Sequence, residues 1–221
     1  MAGIKSLAKD TAIYGLSSIL GRFLNWCLVP LYTIMFPPEE YGIVTYIYSI
    51  VALAIVILIY GMETTLFRFA KHDDYKASTV YTTALTSLGF TSSLFVALVL
   101  LFLNPIAEAM DCADTPSFVW VMAVTVALDA FTAIPFAYLR NKQRPIRFAT
   151  LKLINIGLNI GLNLFFILLC PWIWKTSPAL IEWFYNPNYG IGYIFVANLI
   201  SSAVTLLLLF PEIKSEGYVF N

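Results

Sequence analysis

The sequence predicts an all-α, polytopic membrane protein, and its composition is the first observation that indicates this class. Hydrophobic residues make up 60% of the 221 residues, only 12% are charged, and the mean hydropathy is +0.80. Soluble domains are about 45–50% apolar and about 25% charged, so this chain has too little polar surface to cover a water-soluble globule. The same composition disfavours a disordered chain, a nucleic-acid-binding protein and a disulfide-stapled secreted domain.

Long apolar segments are the second observation, because a membrane-spanning helix needs about 20 mostly apolar residues. Outer-membrane strands are short and alternate in polarity, whereas these segments are continuous. Prolines, asparagines and charged residues separate them, as expected where helices end. The six predicted spans cover residues 11–36, 41–62, 78–103, 117–138, 148–170 and 191–210.

Lysine and arginine are unevenly distributed over the two sides that six spans define. Eleven of the 13 basic residues fall in the amino-terminal segment, the second connection, the fourth connection with the first turn after it, and the tail. Lys175 alone lies on the opposite side, and Arg22 lies within the first span. Because lysine and arginine accumulate in cytosolic loops, both termini are expected in the cytosol.

Two charged residues, Arg22 and Asp129, lie deep within predicted spans. A charge near mid-bilayer costs roughly 2.5–3.5 kcal/mol on insertion scales, so such residues normally face protein or a wet cavity. Counted from the cytosolic ends of their spans, Arg22 is about 16 Å deep and Asp129 about 14 Å deep. These similar depths make an ion pair feasible. The sequence leaves open whether the pair is structural or contacts a substrate or an ion.

The first span carries small and polar residues on the same helix face as Arg22. Ser18, Arg22 and Asn25 follow helical spacing on that face. We therefore expect Ser18 and Asn25 to line the same interior space as Arg22.

The fifth span has a stronger polar stripe. Lys152, Asn155, Asn159 and Asn163 recur at steps of three or four residues and share one face. Three amides on one face are not expected to point at lipid, where their donors would stay unsatisfied. Two interpretations remain open, interhelical hydrogen bonding and the lining of a cavity.

Several other residues allow two interpretations. Glu63, near the cytosolic end of the second span, fits a helix cap or a snorkelling residue better than a transport residue. Gly157 and Gly161 form a GxxxG pair suited to close helix contact. The basic cluster that contains Arg140, Arg144 and Lys152 is a topology signal that could also contact lipid phosphates.

The sequence gives little support for catalysis or metal binding. His72 is the only histidine and lies in a cytosolic connection, so no metal ligand set is expected. No nucleophile-elbow, zinc-protease or P-loop motif is present in the sequence, and no cofactor is predicted. Cys112 and Cys170 could form a disulfide in an oxidising compartment, with buried free thiols as the alternative.

The order of motifs resembles the amino-terminal half of bacterial polysaccharide biosynthesis proteins, the lipid-linked oligosaccharide or O-antigen flippases. They belong to the multidrug/oligosaccharidyl-lipid/polysaccharide exporter superfamily. The resemblance runs along essentially the whole chain. The stretches that carry it are Lys9-Asp10-Thr11 through Gly21-Arg22-Phe23-Leu24-Asn25 into Val29-Pro30-Leu31-Tyr32-Thr33, then Tyr41-Gly42-Ile43-Val44, then Tyr60-Gly61-Met62-Glu63 with Arg68-Phe69, and residues 140–163.

This resemblance implies a bacterial inner-membrane transporter of two facing helix bundles, of which the chain supplies one. Its cargo would be an undecaprenyl-pyrophosphate-linked oligosaccharide, moved from the cytosolic to the outer leaflet. Arg22 would meet the pyrophosphate, and Asn25 and the asparagine stripe would bond sugar hydroxyls. The expected partners are this lipid-linked oligosaccharide, membrane lipids and either a second six-helix lobe or a second copy, with no nucleic acid.

Other functions remain open at this stage. One is a cation-coupled multidrug exporter of the same superfamily, in which Asp129 would bind the proton or sodium ion. A membrane-embedded enzyme and a nonfunctional truncated remnant are the other two.

Overall fold

The computed structural model describes residues 2–70 and 76–214, without the side chains of residues 2–10 and Arg22. In these ranges every regular element is helical, which confirms the predicted all-α class. A π-helical turn at Phe165–Leu169 joins α8 to α9. The helices are α1 (Ala2–Trp26), α2 (Val29–Met35), α3 (Pro38–Ile59), α4 (Met62–Phe69), α5 (Ala77–Leu101), α6 (Leu103–Ala109), α7 (Pro116–Asn141), α8 (Pro145–Leu164), α9 (Cys170–Thr176), α10 (Gly192–Leu208) and α11 (Phe210–Lys214).

Five helical segments of the described chain are long and apolar enough to cross a membrane, so the protein is a membrane-embedded helix bundle. The sixth predicted span corresponds to α10, whose 17 residues extend about 26 Å. That is slightly less than the roughly 30 Å hydrocarbon core. The five longer segments are Thr11–Met35, Pro38–Phe69, Ala77–Leu101, Pro116–Asn141 and Pro145–Thr176.

Two predicted spans contain breaks that the hydropathy pattern does not reveal. The first span is interrupted between α1 and α2, where Pro30 lacks the N–H that a continuous helix requires. The second span is interrupted at Tyr60 and Gly61, whose φ angles are +32° and +77°. Glycine adopts this left-handed conformation without a steric penalty, and the chain changes direction there into α4.

Helix α7 occupies the centre of the bundle, in contact with α3, α4, α5, α8 and α10. Buried alanines recur along it at helical spacing, and Ala130 and Ala137 are fully enclosed. Small side chains let neighbouring backbones approach closely, which is how membrane helices gain packing energy without a hydrophobic driving force. The central position of α7 places Asp129 inside the protein.

Helix α8 packs against α1 and α10, but not through the predicted GxxxG pair. A Cβ added to Gly157 or Gly161 would meet no atom within 4 Å, so the prediction of close helix contact there is wrong for the described chain. The close contact is made instead by Gly21, where an added Cβ would lie 2.6 Å from Ile156 Cδ1. The interface therefore lies on a neighbouring face of α8.

The sequence leaves two states open for Cys112 and Cys170, a disulfide and free thiols, and the structure distinguishes them. Cys112 and Cys170 are both buried free thiols, and they lie in separate hydrophobic clusters. Burial raises the pKa of the Cys112 thiol, with a smaller contribution from neighbouring Asp111. The alternative of buried free thiols is therefore the correct one. His72 lies outside the described residues.

Candidate functional site

A cavity of about 400 Å³ lies among α1, α3, α4, α7, α8 and α10. Its wall combines four ionisable side chains with hydroxyl, amide and aromatic groups, and we call it the polar cavity. The residues that line it are Ser18, Ile55, Ile59, Glu63, Asp129, Thr132, Ala133, Phe136, Arg140, Phe148, Lys152, Asn155 and Thr205.

Asp129 lies at the middle of α7, about 18–20 Å along the axis from either end. Its side chain is half-buried, and Oδ1 accepts a hydrogen bond from Ser202 Oγ of α10 at 2.7 Å. The sequence predicts that a charge at this depth faces the protein interior, and the carboxylate faces the polar cavity.

Lys152 of α8 faces the same cavity. Its Nζ lies 4.1 Å from the centroid of the Phe136 ring, a distance typical of a cation–π contact. Lys152 also interacts electrostatically with Asp129 and Glu63, although no direct ion pair joins it to either of these described residues. The ammonium group therefore has acidic neighbours without being fixed to one of them.

Arg140, near the end of α7, is held more firmly than Lys152. Its Nη2 donates to the carboxylate of Glu63 on α4. The guanidinium lies over the rings of Phe67 and Phe148, at 5.5 and 5.8 Å from their centroids. Its Nε is buried and has no hydrogen-bond partner among the described residues. Arg140 is thus paired through one amino group, while 36% of its side chain stays exposed at the cavity.

The described charges of the polar cavity balance formally, with two carboxylates and two cations. An anionic ligand would have to compete with Glu63 and Asp129 for the two cations. Because charges interact more strongly away from water, an exchange of partners here would have a larger energetic effect than at the protein surface. The cavity can accept an anion and also hydrogen-bond hydroxyl groups.

The asparagines of α8 fill both roles that the sequence leaves open, the lining of a cavity and hydrogen bonding between helices. Asn155 lines the polar cavity, and its Nδ2 donates to Thr205 Oγ1 at 2.8 Å and to the carbonyl oxygen of Ser201 at 3.1 Å. These bonds tie α8 to α10.

Farther along α8, the other two asparagines do not line the polar cavity. Asn163 accepts a bond from the Tyr32 hydroxyl of α2 at 2.9 Å, and its Nδ2 donates to Asn159 Oδ1 at 2.7 Å. Asn163 is buried and Asn159 is half-buried. This part of the stripe joins α8 to α2.

The remaining candidate residues are Ser18, Arg22 and Asn25 of α1 and Arg144. Asn25 is exposed on α1, and Arg144 is exposed at the start of α8. Ser18 lines the polar cavity one helical turn before Arg22. The side chain of Arg22 lies outside what the structure describes, so its pairing with Asp129 stays a prediction.

Sequence reasoning missed the part of the site that α10 contributes. Ser202 bonds Asp129, and Thr205 bonds Asn155. A signal was present, because Asn198, Ser202 and Thr205 follow helical spacing as the asparagines of α8 do. Glu63 is likewise a cavity residue paired with Arg140 rather than a helix cap.

One comparison with known proteins gives a match. The profile of a family described as "Polysaccharide biosynthesis protein" matches residues 35–181, well over half of the chain. No curated protein and no solved structure matches the chain significantly. The matched region contains α3 to α9 and therefore includes Glu63, Asp129, Arg140 and Lys152.

Proposed function

Because the chain belongs to the polysaccharide biosynthesis protein family, we propose that it is one helix bundle of a flippase for lipid-linked oligosaccharides. Family membership and the apolar helices support a membrane-embedded role in polysaccharide export in general. The proposal adds the cargo, an undecaprenyl-pyrophosphate-linked oligosaccharide, and the direction, from the cytosolic to the outer leaflet of the bacterial inner membrane. It also assigns transport rather than catalysis.

The observation that carries the proposal is the set of charges on the polar cavity. Lys152 lacks a direct ion pair with a described carboxylate, and the Arg140 side chain is 36% exposed although one amino group is paired, so both cations can meet phosphate oxygens. Charge-assisted bonds from such groups are shorter and stronger than neutral ones. The lining hydroxyls and Asn155 can bond sugar hydroxyls at the same time.

The headgroup would enter the bundle because its phosphates replace carboxylates as partners of the two cations. The pyrophosphate binds Arg140 and Lys152 and weakens their attraction to Glu63 and Asp129. The carboxylates restore the original contacts when the headgroup leaves, so the empty cavity does not hold uncompensated charge. The polyprenyl tail stays in the bilayer throughout.

We also propose that a second bundle completes the transport path, either another lobe or a second copy of the chain. With the second bundle packed against this one, the path would open alternately to each side of the membrane. Both termini would lie in the cytosol.

Surface-glycan export in cells tests the function. A strain that lacks the gene is complemented with the wild type, Lys152→Met, Arg140→Met or the control Arg144→Met, whose arginine is exposed outside the cavity. Export should fall at least tenfold for the two cavity variants at equal protein level and stay near wild type for the control. Full export by both cavity variants would contradict the proposal.

A cation-coupled multidrug exporter is the second candidate, favoured by the Asp129 carboxylate and its bond to Ser202. That function predicts drug hypersensitivity in the deletion strain with normal surface glycan. A nonfunctional remnant predicts neither phenotype.

A further inference from the structure

A second cavity, of about 570 Å³, lies at the opposite end of the bundle from Arg140. It is bounded by the start of α3, the connection between α6 and α7, and the connection before α10. We call it the outer pocket. It contacts Phe118 near the start of α7, whereas Arg140 is near the end of that helix, about 33 Å away along the axis. The two cavities are therefore separate sites.

The outer pocket is lined by negative charge, whereas a phosphate site needs positive charge. Glu40, Asp111 and Asp114 line it, and none of its described lining residues is basic. Phosphate and other anions are therefore repelled there. This contrasts with the polar cavity, where Arg140 and Lys152 balance the two acids.

The carboxylates of the outer pocket are distributed around it rather than gathered at a point. Among the described residues, no three metal-binding side chains come close enough together to hold a metal ion. The Glu40 carboxylate lies against Gly190, where Oε2 would be 3.7 Å from an added Cβ. Asp111 and Asp114 come from the separate connection before α7. This spacing suits a ligand with several separate donors better than a single cation.

Aromatic and amide groups complete the wall. Phe36 and Tyr189 are half-buried and line the outer pocket, and Asn188 lies beside them. Tyr189 is fixed edge-on against Phe118, with ring centroids 5.6 Å apart. Rings that pack against sugar C–H groups, together with carboxylates that accept bonds from hydroxyls, form a common arrangement for carbohydrate binding. The volume also falls within the range of about 300–1,000 Å³ for small-molecule sites.

We propose that the outer pocket binds a saccharide that carries no acidic group. Glu40, Asp111 and Asp114 accept hydrogen bonds from its hydroxyl or amino groups, and Phe36 and Tyr189 contact its ring faces. The inference rests on the proposed function only in that the cargo carries sugar. In that setting the outer pocket would receive the glycan after it has passed the polar cavity.

Binding to the purified chain in detergent tests the outer pocket directly. Three sugars of equal length serve as probes in saturation-transfer NMR and calorimetry: neutral triacetylchitotriose, amino-bearing chitotriose and acidic trigalacturonate. We expect the first two to bind and the third to bind at least tenfold more weakly. Equal or stronger binding of trigalacturonate, or no binding of either non-acidic sugar, would overturn the proposal.

A matched pair of variants locates the binding. Asp111→Asn with Asp114→Asn should weaken chitotriose binding about tenfold, since bonds to charged acceptors are stronger than neutral ones. Asparagine tolerates the left-handed φ of +54° at position 111, so the change preserves the backbone. The control, Glu39→Gln with Glu108→Gln, removes two exposed carboxylates that do not line the pocket, and binding should not change.

The outcomes also separate this inference from the proposed function. Equal weakening in the test and control variants would overturn the saccharide site. If the site fails while Lys152→Met still abolishes glycan export, only the outer pocket assignment is wrong. If chitotriose binds as expected while Lys152→Met exports normally, the proposed function is wrong and the pocket stands.

Discussion

Replacement of Asn155 by alanine should destabilise the bundle by an amount that its contacts define. Asn155 Nδ2 donates two bonds to α10, at 2.8 and 3.1 Å, and alanine makes neither. Side-chain hydrogen bonds between membrane helices average about 0.6 kcal/mol, so the loss is about 1.2 kcal/mol. This corresponds to roughly a sevenfold change in the folding equilibrium constant.

The free energy of unfolding in bicelles or mixed detergent measures this effect. Asn25→Ala is the matched control, because Asn25 is exposed on α1, and its change should stay within about 0.5 kcal/mol. A double-mutant cycle with Thr205→Val isolates one bond and should give a coupling of about 0.6 kcal/mol. Zero coupling, or equal effects of Asn155→Ala and Asn25→Ala, would refute the assignment of Asn155 as a link between α8 and α10.

Three further predictions concern packing, a second interhelical bond and a thiol. Gly192→Ala should lower stability by about 1–3 kcal/mol, because a Cβ there overlaps two aromatic rings. The control Gly157→Ala faces open space and should not lower stability. Equal effects of the two substitutions on thermal unfolding would contradict the packing at Gly192. Tyr32→Phe should cost about 0.6–1.7 kcal/mol through the lost bond to Asn163, measured by unfolding in bicelles, and no loss would argue against that bond. The raised pKa of the Cys112 thiol reduces its thiolate fraction at a given pH. Alkylation of Cys112 at pH 8, measured by mass spectrometry, should therefore be slower than in the SDS-unfolded chain and should accelerate above pH 9. Equal rates in the folded and unfolded chains would contradict the burial of this thiol.

The fold class and part of the polar cavity could be predicted because they depend on local sequence patterns. Continuous apolar segments predict membrane helices, since hydrocarbon leaves no other way to satisfy backbone groups. The depth of Asp129 and the spacing of Asn155 from Lys152 predict groups that face protein, and all three line the polar cavity. These inferences need only the helical repeat and the polarity of each residue.

Features that depend on which helices become neighbours could not be predicted in the same way. The sequence assigns Arg140 to the membrane surface because the predicted fourth span ends at residue 138. Helix α7 continues to Asn141, and Glu63 from α4 holds the guanidinium at the cavity. The turn at Tyr60 and Gly61 brings α4 there, and hydropathy does not show it. Likewise, a GxxxG pair indicates a surface able to pack closely, but not whether another helix of the chain covers it.

Transport of a fluorescent undecaprenyl-pyrophosphate oligosaccharide across proteoliposome membranes tests the central claim, that the polar cavity receives the anionic headgroup. The chain, together with the second bundle that the proposal requires, is reconstituted as the wild type, as Lys152→Met and as Arg144→Met at equal density. The account predicts a rate at least tenfold lower for Lys152→Met and an unchanged rate for Arg144→Met, because Lys152 lines the cavity and Arg144 does not. Equal rates for all three proteins would contradict it.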